Sequence, residues 1–139
     1  MRFRNAPVRL LITLCVLLTS CRLVDPHGPT DVTLEVENTG YFAGQTVNLM
    51  IGNFTGGTIH YNLCYARLER RASDEWIPVE MEDTCDEVTF TLEHGEQATY
   101  EYHLEESIPA DTYRFVYSFA PVGDDELTLI TSSFDISRT

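Results

Sequence analysis

The four histidines are the first residues to consider for metal chemistry, because a neutral imidazole nitrogen is a frequent metal ligand. They are His27, His60, His94 and His103. A zinc site would need two or three of them, or a mixture with carboxylates, to converge in space, and their spacing does not require this. The acidic run Asp124-Asp125-Glu126 offers oxygen ligands for calcium, but such runs in turns are usually solvated surface. We therefore predict no metal site and no cofactor.

Serines and paired carboxylates, which carry much hydrolytic chemistry, occur here without the context that hydrolysis needs. No serine lies in a G-x-S-x-G elbow. Glu105-Glu106 lies in a predicted turn, whereas a glycosidase needs two acids held across a cleft. A single small domain encloses such a cleft poorly. The sequence predicts no catalytic residues, and we expect that the protein is not an enzyme.

The first twenty residues are typical of a secretory leader. Three arginines precede the apolar segment 10–18, which is shorter than the roughly 20 apolar residues that span a bilayer. Leu18-Thr19-Ser20-Cys21 follows directly and resembles the bacterial lipobox, in which an aliphatic residue and two small residues precede an obligatory cysteine. The resemblance implies cleavage before Cys21 and a lipid on its sulfur. An ordinary signal peptide with a chance cysteine is the alternative.

The lipobox also implies how the chain is divided. Residues 1–20 form the cleaved leader, 21–30 a short tether with proline and glycine, and 31–139 one domain. Several acyl chains on one protein make a stable anchor, since each buried CH₂ contributes about 0.8 kcal/mol. We expect an exported protein that is held by lipid at a membrane surface of the bacterial cell envelope.

Two cysteines remain once the leader is removed with Cys15 and Cys21 carries the lipid. They are Cys64 and Cys85. An exported protein meets an oxidising compartment, in which such a pair usually forms a disulfide. A zinc site would favour a closely spaced C-x-x-C pair, which is absent. We therefore predict a Cys64–Cys85 disulfide.

The charge of the chain excludes one class of partner. The full sequence has 9 basic and 22 acidic residues. Loss of the leader removes three arginines and no acids, which leaves 6 basic residues, 22 acidic residues and a net charge of −16. Such a surface repels phosphates, so we expect no binding to nucleic acid.

The pattern of apolar residues predicts strands throughout the domain. Apolar side chains recur at every second position and are separated by turns rich in glycine, proline, aspartate or asparagine. Eight segments follow this pattern, beginning near Val32, Val47, Ile59, Trp76, Val88, Ala98, Tyr113 and Leu127, and the third runs to Arg70. Short strands at this spacing are typical of a β-sandwich of seven to eight antiparallel strands.

Tyr113 refines this prediction, because it lies at the start of the penultimate strand, where a tyrosine corner would place it. Further matching pieces are Gly44-Gln45-Thr46-Val47, Tyr61 to Arg71 with Trp76, Cys85, Gly95-Glu96-Gln97-Ala98 and Ala110 to Arg114. Together they resemble the bacterial immunoglobulin-like (Ig-like) domains of exported proteins, over nearly all of residues 32–137. The resemblance implies an all-β Ig-like sandwich that binds or spaces. Cys85 departs from the antibody pattern, because it precedes the fifth strand.

The third predicted strand is apolar on both faces, which needs an explanation. Tyr61, Leu63 and Tyr65 share one parity, while Cys64, Ala66 and Leu68 share the other. A bulge near 62–64 would switch the parity that faces the core. Alternatively, Tyr61, Leu63 and Tyr65 form an exposed strip that contacts a partner, since tyrosine is enriched at interfaces.

Two functional hypotheses follow from these features. The first is a non-catalytic, membrane-anchored Ig-like module that binds a protein or glycan, or acts as a spacer; the identity of such a partner is unknown. The second is a protease inhibitor that presents a rigid loop, either 93–97 or the segment 80–87 around Cys85. Preorganised loops bind tightly because little ordering entropy remains to be lost.

Overall fold

The computed structural model of the chain describes residues 31–81, 84–123 and 125–138. This part of the chain forms eleven short strands and one 3₁₀ helix, Leu63–Tyr65. The strands are β1 (Val32–Val36), β2 (Gly40–Phe42), β3 (Thr46–Asn53), β4 (Ile59–Tyr61), β5 (Arg67–Ala72), β6 (Glu75–Pro78), β7 (Phe90–Leu92), β8 (Gln97–His103), β9 (Asp111–Phe119), β10 (Leu127–Ile130) and β11 (Phe134–Ser137). The predicted leader, tether and Cys21 lie outside the described residues. Within them, no helix has the length and apolar character needed to cross a membrane.

Two sheets enclose a shared apolar core. In the smaller one, β3 pairs with β1 and β8; in the larger one the order is β2-β11-β9-β5-β6, with β10 also paired to β9. The rings of Tyr102 on β8 and Phe115 on β9 meet edge to face, with centroids 4.8 Å apart. A third element, the two-stranded ribbon β4–β7, covers one end. The molecule is an all-β sandwich, as the sequence predicts.

The central strands show why the sequence alternates. On β3, Val47, Leu49 and Ile51 are 0% exposed, while the residues between them are half-buried. The same alternation on β9 buries Tyr113 and Phe115 against the opposite sheet. Complete burial of an aliphatic or aromatic side chain of this size contributes about 1.5–3 kcal/mol, which makes the register of these strands specific.

The strand count and pairing differ from the prediction of seven to eight antiparallel strands. The additional strands are short, and β2 pairs with β11 in parallel, with Tyr41 opposite Ile136. β2 has only three residues, of which Tyr41 alone is buried. Three residues are too few for period-two alternation, so the sequence pattern does not reveal this strand.

The third predicted strand is wrong as a continuous element. The chain leaves β4 at Asn62, turns through the 3₁₀ helix and enters the larger sheet as β5. Asn62 caps this turn, because its Oδ1 accepts a hydrogen bond from the backbone N–H of Cys64 at 3.0 Å. Residues of both parities are apolar because the 3₁₀ helix and β5 each contribute side chains to the core. Leu63 of the helix and Leu68 of β5 are both buried. The parity switch expected from a bulge is therefore made by a 3₁₀ turn.

The fifth predicted strand also differs. We expect Val88, Phe90 and Leu92 to face inward, but only Leu92 is buried, and Val88 and Phe90 are 47% and 48% exposed. The reason is that, among the described residues, β7 pairs with β4 alone, in a ribbon at the margin of the sandwich, so only its last residue reaches the core.

Tyr113 occupies the predicted corner. Its side chain is 0% exposed, and its hydroxyl donates a hydrogen bond to the carbonyl oxygen of Pro109 at 2.7 Å. This bond ties the start of β9 to the connection that precedes it. Burial raises the pKa of the Tyr113 hydroxyl, and Arg70 lowers it in part.

Candidate binding site

An open groove of about 370 Å³ lies at the end of the sandwich covered by the β4–β7 ribbon. We call it the aromatic groove. Its walls come from β4 and the 3₁₀ helix, from the segment that leads into β7, and from the end of β9. Tyr61, Tyr65, Tyr117 and Phe119 supply its rings, and Val88 adds an aliphatic side chain.

The rings are arranged in two pairs. Tyr117 and Phe119 are stacked, with centroids 4.5 Å apart and an interplanar angle of 14°. Tyr61 lies 5.7 Å from Phe90, centroid to centroid, and the Phe90 side chain lines a smaller adjoining cavity. Tyr65, at 54% exposure, extends into solvent from the 3₁₀ helix. Tyr117 is only 2% exposed and Tyr61 and Phe119 are half-buried, so most of the exposed apolar surface of the groove comes from Tyr65 and Val88.

A disulfide joins two walls of the groove. Cys64, in the 3₁₀ helix, is bonded to Cys85 with an S–S distance of 2.01 Å and Cα atoms 5.6 Å apart. This confirms the predicted pair. Because Tyr65 is adjacent to Cys64, the bond fixes the turn that carries this ring against the segment that leads to Val88.

Asn62 links the same walls of the groove through hydrogen bonds of its side chain and backbone. Its side-chain amide donates to the carbonyl oxygens of Asp86 and Val88, at 3.0 and 2.7 Å. Its backbone N–H donates to the hydroxyl oxygen of Tyr117 at 2.8 Å, in addition to the capping bond to Cys64. The turn, the segment before β7 and the end of β9 are thus linked through one side chain and its backbone.

Two tyrosine hydroxyls of the groove, those of Tyr61 and Tyr117, have raised pKa values. Burial raises the pKa of Tyr61 above its usual value of 10.0, and the Glu96 carboxylate raises it further. Burial also raises the pKa of Tyr117, although the hydrogen bond from the Asn62 N–H lowers it in part. Both hydroxyls therefore remain donors at physiological pH.

Of the three residues predicted to form an exposed strip, the structure places two in the groove. Tyr61 and Tyr65 both line the aromatic groove, whereas Leu63 is 2% exposed and belongs to the core. Leu63 is therefore wrong as a partner contact, because the 3₁₀ turn rotates it inward between the two tyrosines. Tyr117, Phe119 and Val88 were not recognised as site residues, since alternation places each of them on a core-facing parity and does not show where a sheet ends.

The sequence matches the family described as bacterial Ig-like domain over residues 28–135. The chain belongs to this family. The Ig-like resemblance drawn from the residues is thereby confirmed, as is the fold class of an Ig-like β-sandwich.

Other comparisons add little about this Ig-like domain. No curated protein matches the chain. Among solved structures, it is similar to the alkylpurine DNA glycosylase AlkC of Pseudomonas fluorescens bound to DNA containing an abasic site analog, with 11% identity and a TM-score of 0.37. The match covers 77% of this chain and 30% of the glycosylase chain. A likeness of this degree carries no functional argument.

The histidines of the Ig-like domain that the structure describes are exposed and separate from one another. His103 bonds through Nδ1 to the Thr46 hydroxyl at 2.8 Å, and His94 contacts the carbonyl oxygen of Thr55. His60 alone borders the aromatic groove. Within the described residues, no three histidine, cysteine or acidic side chains are placed to hold a metal ion.

The loop 93–97, a candidate inhibitor loop, is tied to the body of the Ig-like domain. The N–H of Gly95 donates to the carbonyl oxygen of Asn53 at 2.7 Å, and the N–H of Asn53 donates to that of Glu96 at 3.0 Å. Gly95 has a φ of 81°, so the loop turns back there instead of extending. A protease would find little free extended backbone in it. The other candidate, 80–87, contains residues outside the described part.

Proposed function

We propose that the chain is a non-catalytic binding module of the bacterial cell envelope, anchored by lipid on Cys21, and that the aromatic groove is its contact site. The single observation that carries the binding role is a surface with exposed aromatic rings on preorganised walls. The family supports a non-catalytic module, and the lipobox pattern in the sequence supports the anchor.

Rings at the protein surface favour a contact role over simple spacing. Tyr65 and Val88 in the groove and Phe90 in the adjoining cavity are each about half exposed. Contiguous apolar surface on a soluble domain marks interaction sites, and aromatic side chains dominate binding energy at such sites. A spacer would gain nothing from leaving these rings in water.

The bonds around the groove favour binding because they limit the entropy that association costs. Immobilising a flexible side chain or loop costs about 0.5–1.5 kcal/mol for each side chain ordered. Here the disulfide and the Asn62 hydrogen bonds already order the walls. A partner would therefore meet a surface shaped before contact.

The groove is tested by capture from envelope extracts with the full-length chain purified in nonionic detergent. Tyr65→Ser should weaken capture of partners that the unchanged chain retains, with little loss of stability because the ring is 54% exposed. Phe42→Ser is the matched control, since Phe42 is 46% exposed on β2, away from the groove. Equal capture by all three proteins would contradict the proposal.

The anchor is tested separately by growth with labelled palmitate. The unchanged chain should be labelled, Cys21→Ala should not, and Cys15→Ala should be labelled normally because Cys15 lies in the part that is cleaved. An unlabelled wild-type chain would refute lipid anchoring and leave the groove proposal to its own test.

A further inference from the structure

The groove carries negative charge as well as aromatic rings. Glu87 lines it directly, and Asp86 is held next to it by the hydrogen bond from Asn62 to its carbonyl oxygen. Glu96 lies close enough to Tyr61 to affect its hydroxyl. In the described part of the chain, no arginine lines the groove.

The positive charge of the described residues is located elsewhere and is largely paired. Arg67, Arg70 and Arg71 lie on β5 and Arg114 on β9, in the body of the larger sheet, and Arg138 lines a different pocket beside Glu106. Arg67 and Arg114 both donate to the buried Glu69 carboxylate, at 3.0 and 2.8 Å, and Arg114 also covers the Trp76 ring at 4.3 Å. Arg67 and Arg114 therefore neutralise Glu69, and Arg70 lies 3.9 Å from a carboxylate oxygen of Asp111. Among the residues that the structure places along the groove, Glu87 meets no arginine.

We propose that the groove binds a polypeptide segment through an arginine or lysine side chain of the partner; this inference rests on the proposed function. The cation would lie against the tyrosine rings, whose faces carry negative electrostatic potential, with Glu87 as its counter-ion. The aliphatic stem of the same side chain would pack on Val88 and Phe119. Charge complementarity selects this occupant, because a neutral glycan would stack on the rings without using the carboxylates.

The size of the groove agrees with a peptide. A volume of about 370 Å³ is within the range of about 300–1,000 Å³ for ligand sites, so more than one side chain fits. Tyrosine provides a broad ring and a hydroxyl donor, and so can contact both a side chain and the adjacent backbone carbonyl of an extended segment.

The test uses the full-length chain in nonionic polyoxyethylene detergent and fluorescently labelled hexapeptides, with binding measured by anisotropy. The probe alternates glycine and arginine, the matched control peptide alternates glycine and glutamate, and chitohexaose represents a neutral glycan. The arginine peptide should bind at low salt and weaken as ionic strength rises. Tyr65→Ala and Glu87→Gln should each reduce its affinity by about two- to fivefold, the size of one exposed cation–π or ion-pair contact.

Glu35→Gln is the matched control for charge. Glu35 is exposed on β1 of the smaller sheet and does not line the groove, so this change should leave the affinity for the peptide unchanged. If the arginine peptide bound equally to the unchanged chain and to Tyr65→Ala, Glu87→Gln and Glu35→Gln, its binding would be diffuse attraction to an acidic surface. That result would overturn the inference. Binding of chitohexaose that is lost in Tyr65→Ala, without binding of the arginine peptide, would overturn the cationic partner and keep the groove as the contact site. Self-association abolished by Tyr65→Ala would make a second copy the occupant and would also overturn it.

Discussion

The hydroxyl of Tyr113 makes one hydrogen bond whose value can be measured. Pro109, which accepts it, is exposed, so water can replace the lost donor when Tyr113 is changed to Phe. The free energy of unfolding should therefore fall by the net value of one hydrogen bond, about 0.5–1.5 kcal/mol. Urea unfolding checks this, with Tyr65→Phe as a control whose exposed hydroxyl should make no difference. A loss above about 3 kcal/mol would mean that the acceptor is left without water.

The tyrosines also predict how stability depends on pH. The pKa values of Tyr61, Tyr113 and Tyr117 are raised above 10.0, chiefly by burial. Above pH 10 the unfolded chain releases these protons before the folded chain does, so the free energy of unfolding should fall as pH rises through the folded pKa values. Below pH 10 this contribution is fully present.

Tyrosinate absorbance and thermal unfolding, measured together between neutral and strongly alkaline pH, test this prediction. Tyr61, Tyr113 and Tyr117 should titrate above the usual range, and Tyr117→Phe should remove one of these late titrations and reduce the alkaline loss of stability. Normal titration of all seven tyrosines would show that burial does not hold these hydroxyls neutral.

At the scale of elements, the break between β4 and β5 explains which parts of the site could be predicted. Alternation and turn residues were sufficient to predict the sandwich and the Tyr113 corner, because both depend on local sequence pattern. The disulfide could be predicted because only two cysteines remain after the leader and the lipidated cysteine are set aside. The groove depends on Asn62, whose side chain bonds residues 24 and 26 positions later. Such distant partners leave no periodic signal, so Tyr61 and Tyr65 were recognised without Tyr117 and Phe119.

The disulfide should contribute to stability and to binding in different ways. It closes a loop with a sequence separation of 21 residues, for which the chain-entropy account gives about 3 kcal/mol. Cys64→Ala with Cys85→Ala should lower the unfolding midpoint by several degrees and, in addition, weaken binding at the groove because its walls are no longer joined. Calorimetry and the peptide assay measure the two effects. Unchanged affinity in a folded double variant would mean that Asn62 alone orders the groove.

At the scale of the whole molecule, the large negative charge should oppose folding. Repulsion among carboxylates destabilises a compact state, and salt screens it, since the Debye length falls from about 30 Å at 0.01 M to about 8 Å at 0.15 M. The midpoint of thermal unfolding should therefore rise over this range. A variant with Glu35, Glu101 and Glu126 changed to Gln, all of them exposed, should show a higher starting midpoint and a smaller rise. A midpoint that falls with salt would mean that attractive ion pairs outweigh repulsion.

The two ends of the described domain lie at opposite ends of the strands. Val32 pairs with Asn53 at the far end of β3, while Ser137 pairs with Phe42, which is bonded to Gln45 at the start of β3. Eight residues of extended strand separate them, about 25 Å. A mechanical force between residues 31 and 138 would therefore act along β1 and β11 and shear their ladders, so that many hydrogen bonds must break together. We therefore expect the domain to resist stretching, whereas a hairpin pulled from its open end would unzip one pair at a time.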